Sequence, residues 1–129
     1  MSKFKKLSKE AERLGITVRL VRTVDGADAC CFPDSKEIHI RKKNSSKMRL
    51  YFLAHEMGHV HFNHSTMYLD RAIKNEKAAD DYSVELAKKF GFYSLHFRAY
   101  IERRRKMTSS EEYKEFLLWY GYRKRVRRA

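Results

Sequence analysis

A chain of 129 residues has room for one domain built on a single modest core. Hydrophobic residues make up 43% of it, with eight Phe and eight Tyr, which excludes a disordered chain, and no apolar run approaches the roughly 18 residues a membrane span needs. The formal charge of +13 would attract nucleic acid or an acidic protein, but by itself does not separate such a partner from a merely solvated basic surface.

Residues 1–6 are basic and lack the apolar stretch of a secretion signal, so a cytoplasmic protein without membrane attachment is expected. Residues 3–14 carry Phe4, Leu7, Ala11 and Leu14 on one helical face, with Gly15 as the C-cap. Residues 16–21 alternate as a strand, and Asp25-Gly26 marks a turn. Residues 29–32 form a short strand stopped by Pro33. That strand contains Cys30 and Cys31, whose adjacency strains any mutual disulfide. Reduced thiols acting as small strand residues are expected, with a place at a metal as the lesser alternative. Residues 37–41 alternate again, which puts Ile38 and Ile40 on one side and His39 outward on an edge strand.

Ser45 or Ser46 caps the next helix, whose apolar stripe runs through Met48, Leu50, Leu53, Ala54, Met57 and Val60. The polar residues His61, Asn63, His64, Ser65 and Thr66 end it. A further helix is expected from Asn75 or Lys77 to about Phe90, closed by Gly91. Residues 93–106 and 110–120 read as two more, the last opened by the cap-like Ser109-Ser110-Glu111-Glu112. No repeat or linker divides the chain. Residues 1–122 are expected as one domain and 123–129 as a basic tail.

The chemistry lies in His55-Glu56-Met57-Gly58-His59, an HExxH motif. Two imidazoles four residues apart on a helix share one face and can grip one zinc ion, with the intervening glutamate placed as general base on a water. His55 and His59 lie on a stripe beside the apolar one, at the edge of the core. That position is dry enough for ligation and open enough for a substrate.

A hydrolytic zinc site takes three protein ligands and keeps one position open. The extended pattern HExxHxxGxxH fails here, because Phe62 and Ser65 stand where Gly and His are required. His64 can join only if the helix breaks, since on a continuous helix it points about 140° away from His59. His61 faces the wrong way. Glu76 is the favoured third ligand. It shares an inward helical face with Ala79, Tyr82, Ser83, Leu86 and Phe90, where a carboxylate is costly unless paired or coordinated. Asp80, one turn later, is placed to hydrogen-bond the free ring nitrogen of a ligand histidine. The plain alternative is a solvent-facing acid at a helix start. Asp81 and Glu85 fall on outer faces. Tyr93, His96 and Tyr100 are candidates for stabilising developing negative charge, each competing with a simple packing role.

Leu53-Ala54-His55-Glu56-Met57-Gly58-His59, followed by the helix from Glu76 through Asp80 to Leu86, resembles the ImmA/IrrE-like zinc metallopeptidases, a gluzincin-like group, over roughly residues 1–90. Family members show an AHELGH-like motif and then an E-x-E-A-N/D-x-F-A-x-E-L-like helix. Here Ala78 replaces the second glutamate, Asp80 fills the Asn/Asp position and Tyr82 replaces the phenylalanine. The resemblance implies an α+β, small zincin-like domain with a short three-stranded sheet packed on the HExxH helix and further C-terminal helices. It implies Zn2+ held by His55, His59 and Glu76, with Glu56 as base. The implied substrate is a regulatory protein, such as a DNA-binding repressor of a phage or mobile element. The alternative is a zinc-containing nucleic-acid-binding or regulatory interaction protein without proteolysis, and a third reading joins the two through a basic tether.

Overall fold

A computed structural model describes residues 1–22 and 27–124 of the chain. The turn expected at Asp25-Gly26 and most of the basic tail (125–129) lie outside the described residues. The fold is α+β, in the order α1 (Lys3–Arg13), β1 (Thr17–Val21), β2 (Ala29–Phe32), β3 (Glu37–Arg41), α2 (Ser46–His61), α3 (Leu69–Phe90), α4 (Leu95–Thr108) and α5 (Glu111–Tyr120). Four helices start at a serine, Ser2, Ser45, Ser94 and Ser110, whose hydroxyls accept the backbone N–H of Lys5, Met48, Phe97 and Tyr113 respectively.

The three strands lie in the order β1-β3-β2, with β3 parallel to β1 and antiparallel to β2. Ile38 and Ile40 are fully buried against the helices, and His39 turns to the other side, its ring packed edge-on against Phe32 at 5.0 Å. β3 is therefore the central strand, and the edge position expected for His39 is incorrect. Alternation within a strand sets which side each residue faces, but not which neighbours it acquires.

α2 is the axle of the domain. It packs on α1, β2 and β3 and, across another side, on α3. Leu50, Tyr51, Leu53, Ala54, Met57 and Val60 are buried in the main core with Leu7, Ala11, Leu86, Phe97 and Ile101. α3 begins at Leu69, well before the start expected at Asn75 or Lys77. Leu69, Ala72 and Ile73 continue the helical stripe backward from Glu76, and their burial outweighs the polar run 74–77 that read as a start. Glu76 thus sits inside a long helix, braced on both sides. The N-terminal turns of α3 pack on Leu117 of α5 in a small separate cluster. Arg123 joins it through its backbone, donating to Met67 O at 2.7 Å and accepting from Leu69 N at 2.8 Å. Among the described residues no helix is long and apolar enough to cross a membrane.

α2 and α3 meet backbone to backbone at Gly58. A Cβ there would lie 2.8 Å from Ala79 Cα and 3.0 Å from Ala79 O. Alanine at 58 gains up to about 1 kcal/mol in helix propensity but forces the two backbones apart, at a cost of about 1–3 kcal/mol. Gly58→Ala is therefore expected to lower the midpoint of urea unfolding, and a larger residue such as Val to lower it further.

Candidate metal centre

The close α2–α3 approach brings three groups together. His55 and His59 project from one face of α2, both under one-tenth exposed, and Glu76 comes across from α3. His55 Nε2 and His59 Nε2 are 3.0 Å apart. Glu76 places Oε2 2.9 Å from the first and Oε1 3.2 Å from the second. Two nitrogens and a carboxylate spaced this way approach the edge of about 3.3 Å expected among ligands around tetrahedral zinc. His55, His59 and Glu76 can hold a metal ion.

The remaining ring nitrogens are also engaged. His55 Nδ1 donates to Asp80 Oδ1 at 2.8 Å, and Asp80 is 1% exposed. His59 Nδ1 lies 2.9 Å from His64 Nδ1, so one of this pair donates to the other. Burial and the neighbouring His59 push the pKa of His64 down to about 4, which leaves it a neutral ring able to accept. α2 ends just before this point. Asn63 takes a left-handed φ of 51°, and His64 N donates back to His59 O at 2.9 Å. The helix breaks as a His64 contribution requires, and the break turns that ring onto the back of His59, away from the His55–Glu76 side.

Two cavities meet at Glu56 and Glu76. One, of about 410 Å³, lies on the His59–His64 side; the other, of about 630 Å³, lies toward His55 and Arg104. Ala27 and Ala29 line both from the sheet side, with Tyr113 and Phe116 of α5 opposite. Among the described residues neither Cys30 nor Cys31 forms a disulfide. The Cys31 thiol hydrogen-bonds Glu56, and burial together with that carboxylate raises its pKa far above the usual thiol range. A thiol held protonated is a poor metal ligand.

Arg104 of α4 was not anticipated. Its Nε donates to Asp80 Oδ1 at 2.7 Å and its Nη2 to Glu76 Oε2 at 2.8 Å. The run Arg103-Arg104-Arg105-Lys106 reads as surface charge, yet position 104 continues the buried face of Phe97, Tyr100 and Ile101 at helical spacing. That stripe was the available signal. Tyr113 was also missed; its pKa is raised by burial and then by the Glu76 charge. Of the three residues considered for charge stabilisation, Tyr93 is exposed, and His96 Nδ1 is hydrogen-bonded to Tyr51 OH at 3.0 Å. Tyr100 lines the larger cavity. Asp81 and Glu85 are exposed, as expected.

Burial opposes a charge on His55, but its hydrogen bonds to Asp80 and Glu76 outweigh that and raise its pKa to about 9. Burial likewise opposes the Glu76 charge, and hydrogen bonds from His55 and His59 hold its pKa well below the usual carboxylate range. A raised histidine pKa stabilises the fold below about pH 6.5, and this contribution is lost as pH climbs through about 9. The depressed Glu76 contributes above about pH 4.5 and loses its contribution in acid. Chelator-treated protein is thus expected to lose stability between pH 6.5 and 9, by roughly 3 kcal/mol at most. Divalent-metal affinity should rise over the same interval, because the ion displaces a proton. Thermal melts of chelated and zinc-loaded protein across that range check both signs.

A family model, the IrrE N-terminal-like domain of the M78 peptidases, matches residues 11–114, and so reaches beyond Phe90 through α4 into α5. No curated protein and no solved structure matches the chain. The matched segment carries HExxH on α2, the acidic face of α3 and Arg104 on α4, and the chain belongs to the IrrE N-terminal-like family of peptidases.

Proposed function

We propose that this chain is a zinc-dependent endopeptidase in which Glu56 activates water at a His55/His59/Glu76 site. Its substrate is a cytoplasmic regulatory protein, such as a phage or mobile-element repressor. The observation that carries this reading is the convergence of His55 Nε2, His59 Nε2 and the Glu76 carboxylate within a cleft that Glu56 also lines. A structural zinc site has no use for such a fourth residue, a carboxylate that is not a ligand.

Bound zinc would polarise the scissile carbonyl and lower the pKa of water toward neutrality. Glu56, between the two cavities, takes the proton from the attacking water and returns it to the leaving amine. Asp80 and His64 hold the two imidazoles by their Nδ1 atoms, so that both Nε2 atoms face one point. Tyr113, with a phenol pKa above its ordinary value, remains a hydrogen-bond donor throughout the neutral range and borders both cavities, where charge develops on the carbonyl oxygen. Among the described residues β2 stands at the end of the strand order, beside β3, and its residues line the cleft near Glu56. A strand at the end of a sheet in that position favours an extended peptide segment as substrate.

Glu56→Gln is expected to lose about 10²–10⁴ of wild-type cleavage while keeping its metal, since the base is no ligand. Mass spectrometry of a proteome-derived peptide library digested by each protein measures the loss, and elemental analysis measures the zinc. Full activity in Glu56→Gln would remove it as the base. Glu76→Ala is expected to lose zinc under the same elemental analysis.

The exposed lysines of α1 (Lys3, Lys5, Lys6 and Lys9), with Lys42, Lys43 and Lys47, support the second reading, a zinc protein that contacts nucleic acid without proteolysis. A salt-sensitive gel shift from a protein that cleaves nothing in the peptide library would favour it.

A further inference from the structure

Glu76 has two oxygens, and the metal trio needs one of them. Oε1 faces His59 Nε2 at 3.2 Å. Oε2 faces His55 Nε2 at 2.9 Å and also accepts Arg104 Nη2–H at 2.8 Å. The same guanidinium donates Nε–H to Asp80 Oδ1 at 2.7 Å, the oxygen that accepts His55 Nδ1–H at 2.8 Å. A carboxylate with both oxygens free can close on a metal ion through both, occupying a position that water and substrate require.

We propose that Arg104 is a positioning residue that restricts Glu76 to ligation through one oxygen and fixes the His55 ring through Asp80, keeping a coordination position open for substrate. The inference rests on the zinc-site reading above. The guanidinium suits the task because its planar fork reaches two carboxylates at once, one on each side of a single turn of α3. Its side chain is 18% exposed, and although burial disfavours its charge, Asp80 and Glu76 more than offset that cost. The charges also balance. Glu56, Glu76 and Asp80 against Arg104 leave two negative charges, which one divalent ion neutralises. A lysine keeps the charge but gives one point of contact in place of a fork, so Arg104→Lys separates geometry from electrostatics.

The test uses cobalt as a spectroscopic stand-in for zinc, because its visible absorption is strong in four-coordinate sites and weak in larger coordination shells. Wild-type protein loaded with Co2+ is expected to show the intense four-coordinate spectrum. Arg104→Lys, with its fold checked by circular dichroism, is expected to bind the same amount of Co2+ with visible absorptivity reduced about threefold. Its cleavage of the peptide library should fall about 10–100-fold. Spectra that superimpose for the two proteins overturn the role of Arg104 and leave the zinc site standing. Should Arg104→Lys fail to fold, X-ray absorption on the cobalt-loaded wild type decides alone: four nitrogen and oxygen ligands support single-oxygen ligation, and five or more overturn it. Wild-type protein that takes up neither Co2+ nor Zn2+ overturns the zinc-site reading itself, and the role of Arg104 with it.

Discussion

The contact between Gly58 and Ala79 is the constraint on which the site depends. A hydrogen in place of a side chain at 58 lets α3 approach until Ala79 Cα lies 2.8 Å from where a Cβ would be. Gly58 stands one residue before His59, and Ala79 stands three after Glu76 and one before Asp80. The point of closest approach is therefore within one helical turn of both histidines and both carboxylates. A pair of helices separated by ordinary side chains sits 8–10 Å apart or more, and a glutamate reaching across would trade geometric definition for distance. The glycine inside HExxH serves the packing, and through the packing it sets where Glu76 can be.

Bringing three carboxylates to one place is unfavourable unless other groups answer their charge. Asp80 shows this most plainly. It is 1% exposed, its Oδ1 accepts from both His55 and Arg104, and among the described residues its Oδ2 has no hydrogen-bond partner. A buried acid with an orphan oxygen is sustained by nearby positive charge, and losing one partner of such a pair is far costlier than losing a surface ion pair. α4 supplies that charge from inside its own apolar face. Phe97, Tyr100 and Ile101 anchor it in the main core, so the guanidinium is presented by a rigid element.

Legibility from sequence followed the range of the interaction. The HExxH pair depends on a spacing of four within one helix, which the chain states outright, and the short strands and serine caps are just as local. Glu76 and Asp80 were readable as partners because a carboxylate on an inward stripe demands an explanation. Features set by distant neighbours were not. His39 lies on the central strand because β1 pairs across to β3, an order that no local alternation encodes. The start of α3 was displaced because residues 74–77 are polar, although Leu69, Ala72 and Ile73 keep the helical period through them. Arg104 was hidden by its basic neighbours, and only its place on the stripe of Tyr100 and Ile101 distinguishes it.

That early start of α3 divides the domain's energetics. His55 and His59 ride on α2, which belongs to the main core with Leu53, Ala54 and Met57. The opposite wall of the cleft, carrying Tyr113 and Phe116, rests on a second and smaller cluster of Leu69, Ala72 and Leu117, tied down by the Arg123 backbone. Cooperative units follow such divisions, and a cluster of a few buried side chains opens at lower free energy than a full core. α5 therefore rests on the cluster with fewer buried side chains, whereas the two histidines ride on the main core and are braced from behind by Asp80 and His64. Phe116, Trp119 and Tyr120 are exposed on α5. The three groups that can hold a metal ion are thus fixed by the larger core and by buried polar contacts, and the facing wall of the cleft is fixed by the smaller cluster.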